Sequence, residues 1–115
     1  MDRLFLLAAG ISGAAGVGLS AAAAHMGGGN VGTAATFLLA HAPAFLAASF
    51  IRDRIVARYG AAVLLVGVIF FSGDLLAREF LGQRLFPYAA PAGGILMIAG
   101  WLAVALSALT GRGSS

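Results

Sequence analysis

Between Ala57 and Arg78 the chain runs through apolar residues almost without a break, and one carboxylate, Asp74, sits inside the far end of that run. About 20 consecutive apolar residues are what an α-helix needs to cross the hydrocarbon core of a bilayer. A segment in lipid must satisfy its own backbone N–H and C=O groups, so a spanning segment of this kind is a helix. Three more segments have the same character, and the expected spans are 4–24, 33–51, 58–77 and 92–109. Composition agrees: 61% of residues are hydrophobic and only 10% charged, against about 25% charged in a soluble domain. The expected fold is all-α and integral to the membrane, a single domain over residues 1–115. Short connections between four spans imply an antiparallel up-down-up-down four-transmembrane-helix bundle.

Several function classes fall away at this stage. The chain has no cysteine, which removes disulfides, thiolate nucleophiles and cysteine-bound metals or clusters. Its formal charge of +3 comes from seven arginines, and their positions near helix ends read as topology signals and headgroup contacts rather than a nucleic-acid surface. Gly27-Gly28-Gly29 lacks the Lys-Ser/Thr and the preceding strand of a phosphate-binding loop. The four acids form no pair placed for general acid–base work. Ser72 stands beside Gly73 with no sequence-local base, and small residues of this kind in a membrane helix serve packing. No catalytic residue, resident metal or cofactor is expected.

Arg3, the apolar run from Leu4 and the small residues Ala21 to Ala24 have the outline of a secretory signal. The run is long for a signal core and right for a span, so a retained first helix is expected. Gly10, Ala14 and Gly18 recur every fourth residue, a small-residue face that lets membrane helices approach closely. Packing inside the bundle is its expected role. Ala99 and Ala103, followed by Ser107, give the last span a similar face. The glycine-rich stretch from His25 to Gly32 is expected to form the first turn, with Thr33 capping the second helix. Pro43 removes a hydrogen bond within that helix, and Pro91 suits the first turn of the fourth. The tail from Thr110 to Ser115 is expected to be disordered.

Arginine placement sets an expected orientation. Arg3, Arg52, Arg54, Arg58 and Arg112 fall on one side, Arg78 and Arg84 on the other. Positive charge in short loops marks the cytoplasmic side, so both termini are expected in the cytoplasm of a bacterial cell, with the chain in its inner membrane. The far-side loop from Glu79 to Ala90 carries Phe80, Phe86 and Tyr88, which suits an interfacial aromatic belt or a short surface helix.

A family resemblance enters on four pieces: AAAAH from Ala21 to His25, His41-Ala42 in the second span, Phe71-Ser72-Gly73, and PAGGILMIAGW from Pro91 to Trp101. Their order and spacing resemble the small four-span membrane proteins of the domain-of-unknown-function 423 family, over essentially the whole chain. The resemblance implies the fold and the membrane location and carries no activity. Family members often continue Phe-Ser-Gly with Ser-Leu-Tyr, where this chain has Asp74-Leu75-Leu76. The resemblance therefore implies nothing about Asp74.

On the four-span reading His25, His41, Asp74 and Arg78 all fall in the non-cytoplasmic half and form the candidate polar or ion site. Each also has a structural reading. Asp74 and Arg78 are spaced for an i, i+4 ion pair, with Arg78 reaching toward the interface. His41 suits a hydrogen bond to Thr36 or to a carbonyl of a neighbouring helix. His25 suits the headgroup zone. Joined, the imidazoles and the carboxylate match a metal-ligand set or a proton relay, although no HxxxH-type spacing is present. The leading expectation is a non-enzymatic accessory or interaction protein of the membrane, with the lipid bilayer as its first partner. Membrane-protein partners or a homo-oligomer complete it. The alternative is a small transporter or channel for ions, protons or a small solute, working as an oligomer around the polar site.

Overall fold

The computed structural model describes residues 2–26 and 29–110. Those residues form four helices in sequence: α1 (Arg3–Met26), α2 (Gly29–Ala48), α3 (Ile55–Phe80) and α4 (Ala89–Ser107). All four are long and apolar enough to cross a membrane. At 1.5 Å per residue the shortest, α4 with 19 residues, is about 28 Å long, close to the roughly 30 Å of a bilayer core. Short connections make neighbours antiparallel. One end of the slab, 47 × 27 × 18 Å in extent, carries the start of α1, the α2–α3 connection and the end of α4. The other carries the α1–α2 connection and the 81–88 loop. We call them the terminal end and the loop end.

Two helical hairpins, α1–α2 and α3–α4, join through α2 and α3. Phe5, Ala9, Phe45, Ala48, Ala61, Leu64, Val68 and Met97 form the core between them. The tightest seam is α3–α4, and glycine makes it possible. A Cβ on Gly60 would lie 2.9 Å from the Gly100 carbonyl oxygen, and one on Gly67 would lie 2.8 Å from that of Gly93. From the other side, Gly93 would meet the Phe71 nitrogen at 2.6 Å and Gly100 the Leu64 side chain at 2.7 Å. Seven-residue spacing on both helices places these glycines in register, so the backbones touch where side chains would hold them apart.

Several expectations are corrected here. Gly10, Ala14 and Gly18 do not pack within the bundle: all three are exposed, and a Cβ at Gly10 or Gly18 would meet nothing within 4 Å. The inward face of α1 is instead Phe5, Ala9, Ser12 and Gly16, with a Cβ at Gly16 driven to 2.6 Å from Leu39. On α4, Ala99 is exposed, while Ala103 does meet α3, 3.1 Å from the Cβ position of Gly60. Small residues ring both helices, so their spacing alone does not say which side turns inward.

The second helix also begins earlier than expected. α1 runs through His25 to Met26, and α2 already begins at Gly29, so Asn30 to Thr33 are helical rather than a turn and cap. α2 continues past Pro43 to Ala48. The 81–88 loop holds no helix, and its residues are all exposed. Tyr88 closes it with φ +66°, a left-handed conformation uncommon outside glycine. The expected disorder beyond Thr110 lies outside the described residues.

Candidate functional site

At the loop end Asp74 is fully buried. Its Oδ2 lies 2.9 Å from Arg78 Nη2, one helical turn further on. That contact is an ion pair without the angle of a good hydrogen bond, since Asp74 Oδ2 and Arg78 Nε have no hydrogen-bond partner. Oδ1 accepts the backbone N–H of Leu85 at 2.8 Å. The carboxylate thus does two things: it neutralises Arg78 on its own helix and holds the 81–88 loop down over the end of α3. Leu85 is a partner that spacing along α3 could not reveal.

Deeper in the bundle, the His41 ring is buried and fully engaged. Nδ1 lies 2.8 Å from the carbonyl oxygen of Phe37, and Nε2 accepts the indole N–H of Trp101 on α4 at 3.1 Å. The neutral tautomer with its proton on Nδ1 satisfies both bonds at once. Phe37, Phe45 and Trp101 surround the ring, with centroids 5.7 to 6.3 Å away. His41 therefore clasps α2 to α4, two helices that otherwise stand apart. Of the two partners expected from sequence, Thr36 bonds the Gly32 carbonyl instead, and the carbonyl His41 meets is on its own helix rather than a neighbouring one. The missed partner did leave a signal: Trp101 is the only tryptophan, and an indole N–H in an apolar segment needs an acceptor.

The four expected site residues do not converge. His25 is exposed at the end of α1. Because α2 begins at Gly29, His41 is 12 residues, about 18 Å, from the loop end of its helix. It lies in the terminal-end half, so the grouping of all the titratable residues in one half is corrected. Among the described residues no three His, Cys, Asp or Glu side chains group closely enough to hold a metal ion. Ser72 is buried and its hydroxyl has no partner among the described residues, while Ser49, Ser107, Thr36 and Thr110 bond carbonyls three or four residues back.

Sequence reasoning left the terminal end to headgroups and topology, yet polar ties concentrate there. Asp2 caps α1 by accepting the Leu4 N–H at 2.9 Å and pairs with Arg58 of α3 at 2.6 Å. Its backbone N–H donates to the Ser49 carbonyl at 2.8 Å. Partial burial pushes the Asp2 carboxyl up, but hydrogen bonds from Arg58, Leu4 and Phe5 and the Arg58 charge outweigh that and hold it below its ordinary 3.8. Arg54 donates to the carbonyls of Ser107 and Thr110, which closes the C-terminal end of α4 where free carbonyls and the helix dipole favour a cation.

Comparison with known proteins places this architecture. The family described as "Protein of unknown function (DUF423)" matches residues 12–94. A UPF0382 membrane protein of Haemophilus influenzae is 35% identical over 60 residues, covering 52% of this chain and 48% of the relative. Another, from Staphylococcus haemolyticus, is 42% identical over 45 residues, covering 39% of this chain and 37% of the relative. The chain thus spans less than half the length of either relative. No solved structure matches it.

Proposed function

The chain belongs to the DUF423 family of membrane proteins, and from that premise we propose a non-enzymatic accessory role in the bacterial inner membrane. In this reading it associates laterally with other membrane components through the small-residue face of α1 that the bundle leaves exposed, Gly10, Ala14 and Gly18. One observation carries the reading. The buried ionisable and ring groups are already engaged inside the chain: His41 by hydrogen bonds on both nitrogens, and Asp74 by a hydrogen bond on Oδ1 and the Arg78 charge beside Oδ2. Groups spent on holding helices and a loop together are not free for a substrate. The arginine bias supports cytoplasmic termini.

A transport pathway fits this geometry less well. It needs His25, His41 and Asp74 around one vestibule, whereas the space between the hairpins is filled by Phe45, Leu64 and Val68. The chain as a whole, without cysteine, suits a direct test. Gly10→Cys and Gly18→Cys place thiols on the exposed side of α1, and Val66→Cys places one on an exposed position of α3. Cross-linking in native membranes is expected to give discrete adducts from α1 and few from Val66→Cys. Equal, diffuse labelling at all three positions, with a clean monomer after gentle extraction, overturns the lateral-association reading.

A further inference from the structure

A cleft of about 630 Å³ opens between α2 and α4. Its origin is the glycine seam: Gly60, Gly67, Gly93 and Gly100 draw α4 onto α3 and so leave α4 standing off α2. Phe37 and His41 form one wall, Phe71 the floor, and the face of α4 from Pro91 to Leu102 the other wall. Gly94 deepens it, since a Cβ there would meet nothing within 4 Å. Cavities of roughly 300–1,000 Å³ with apolar, aromatic walls are typical of small-ligand sites. We propose that this cleft holds one hydrocarbon tail of a bilayer lipid, inserted from the loop end.

Shape and depth select that occupant. Pro91 is two residues, about 3 Å, inside the loop-end start of α4, and Leu102 is 13 residues, about 20 Å, from it. The cleft therefore runs along the helices for about 16 Å, close to one leaflet's share of a roughly 30 Å core. The His41–Trp101 bond bridges α2 and α4 near its deep end. A transmembrane helix would need a groove along the whole depth, and this one stops part-way. A polar headgroup finds no free partner inside, because both His41 nitrogens and the Trp101 N–H are bonded to each other or to Phe37. An apolar tail fits on every count. The inference stands apart from lateral association through α1, since the cleft lies between α2 and α4 and takes no residue from α1.

Trp101 lines the cleft and is the only tryptophan in the chain, so its fluorescence reports occupancy. The full chain in detergent micelles is titrated with phosphatidylcholine brominated mid-chain, at lipid levels too low for random contact in a micelle. Wild type is expected to lose most of its fluorescence in a curve that saturates at one lipid per chain. Native mass spectrometry is expected to retain that lipid. Gly94→Leu fills the cleft and is expected to abolish both signals, and Gly94→Ala, a smaller change, to weaken them. Gly18→Leu, on exposed α1, is expected to leave them unchanged. Quenching that rises in proportion to lipid without saturating overturns the proposal, as does identical saturation in a folded Gly94→Leu variant. Retention of a second copy in place of the lipid also overturns it.

Discussion

The two ends of this bundle use the same chemistry for different ends. Each has an Asp–Arg pair with a partly exposed arginine, Arg58 at 40% and Arg78 at 36%, but Asp2 keeps 20% of its side chain exposed while Asp74 keeps none. Asp2–Arg58 joins α1 to α3 across the bundle, and Arg54 joins α3 to the end of α4. Asp74–Arg78 stays on one helix and reaches outward only to the backbone of Leu85. The contrast teaches that burial, not the identity of the pair, sets what its loss costs. An exposed pair trades its partner for water with little change, whereas a buried carboxylate leaves uncompensated groups behind.

That contrast can be broken most severely at Asp74. Asp74→Ala strands the Leu85 N–H and Arg78, whose side chain is 36% exposed, and a polar group left without its partner costs about 1–3 kcal/mol, more when it is charged. A lowered unfolding midpoint in micelles, with faster proteolysis of the 81–88 loop, is the expected result. Asp74→Asn keeps an acceptor for Leu85 and is expected to fall between Asp74→Ala and wild type. An Asp74→Ala variant as stable as wild type would show the loop end to be no more dependent on its pair than the terminal end.

Next in size is the seam between the ends. Gly67→Ala puts a Cβ 2.8 Å from the Gly93 carbonyl oxygen, and overpacking of this kind costs about 1–3 kcal/mol. Gly10→Ala, on the exposed side of α1, is expected to leave the unfolding midpoint unchanged. A smaller effect is expected midway along the bundle: His41→Phe removes the bond to Trp101, worth about 0.6 kcal/mol on average in membranes. A blue- or red-shift of Trp101 emission reads the loss of that bond independently of stability.

The smallest effect belongs to the terminal end. The Asp2 carboxyl titrates below its ordinary value in the folded chain, so the unfolded chain holds the proton more readily. Its stabilising contribution is present above the unfolded value of 3.8 and is lost as pH falls through the lower folded value. Unfolding midpoints measured between about pH 5 and about pH 3 are expected to drop slightly further for wild type than for Asp2→Asn. Equal slopes would mean that Arg58 does not hold the Asp2 charge.

The four spans, their order and the Asp74–Arg78 spacing were legible in the sequence because each is local. Hydropathy acts residue by residue against lipid, and i, i+4 neighbours meet on any helix. The absence of cysteine was equally plain. The direction each helix faces was not legible. In lipid both sides of a helix are apolar, so the periodicity that marks an inward face in water is missing. Gly10, Ala14 and Gly18 look as well suited to packing as Gly60, Gly67, Gly93 and Gly100. Only backbone approach across α3 and α4, and hydrogen bonds spanning from 11 to 60 residues, distinguish them. The same long-range contacts gave His41 its Trp101, Asp74 its Leu85, and Arg54 and Arg58 their places at the terminal end. Local hydropathy determined that this chain spans a membrane four times, and tertiary packing decided which of its small and polar residues meet.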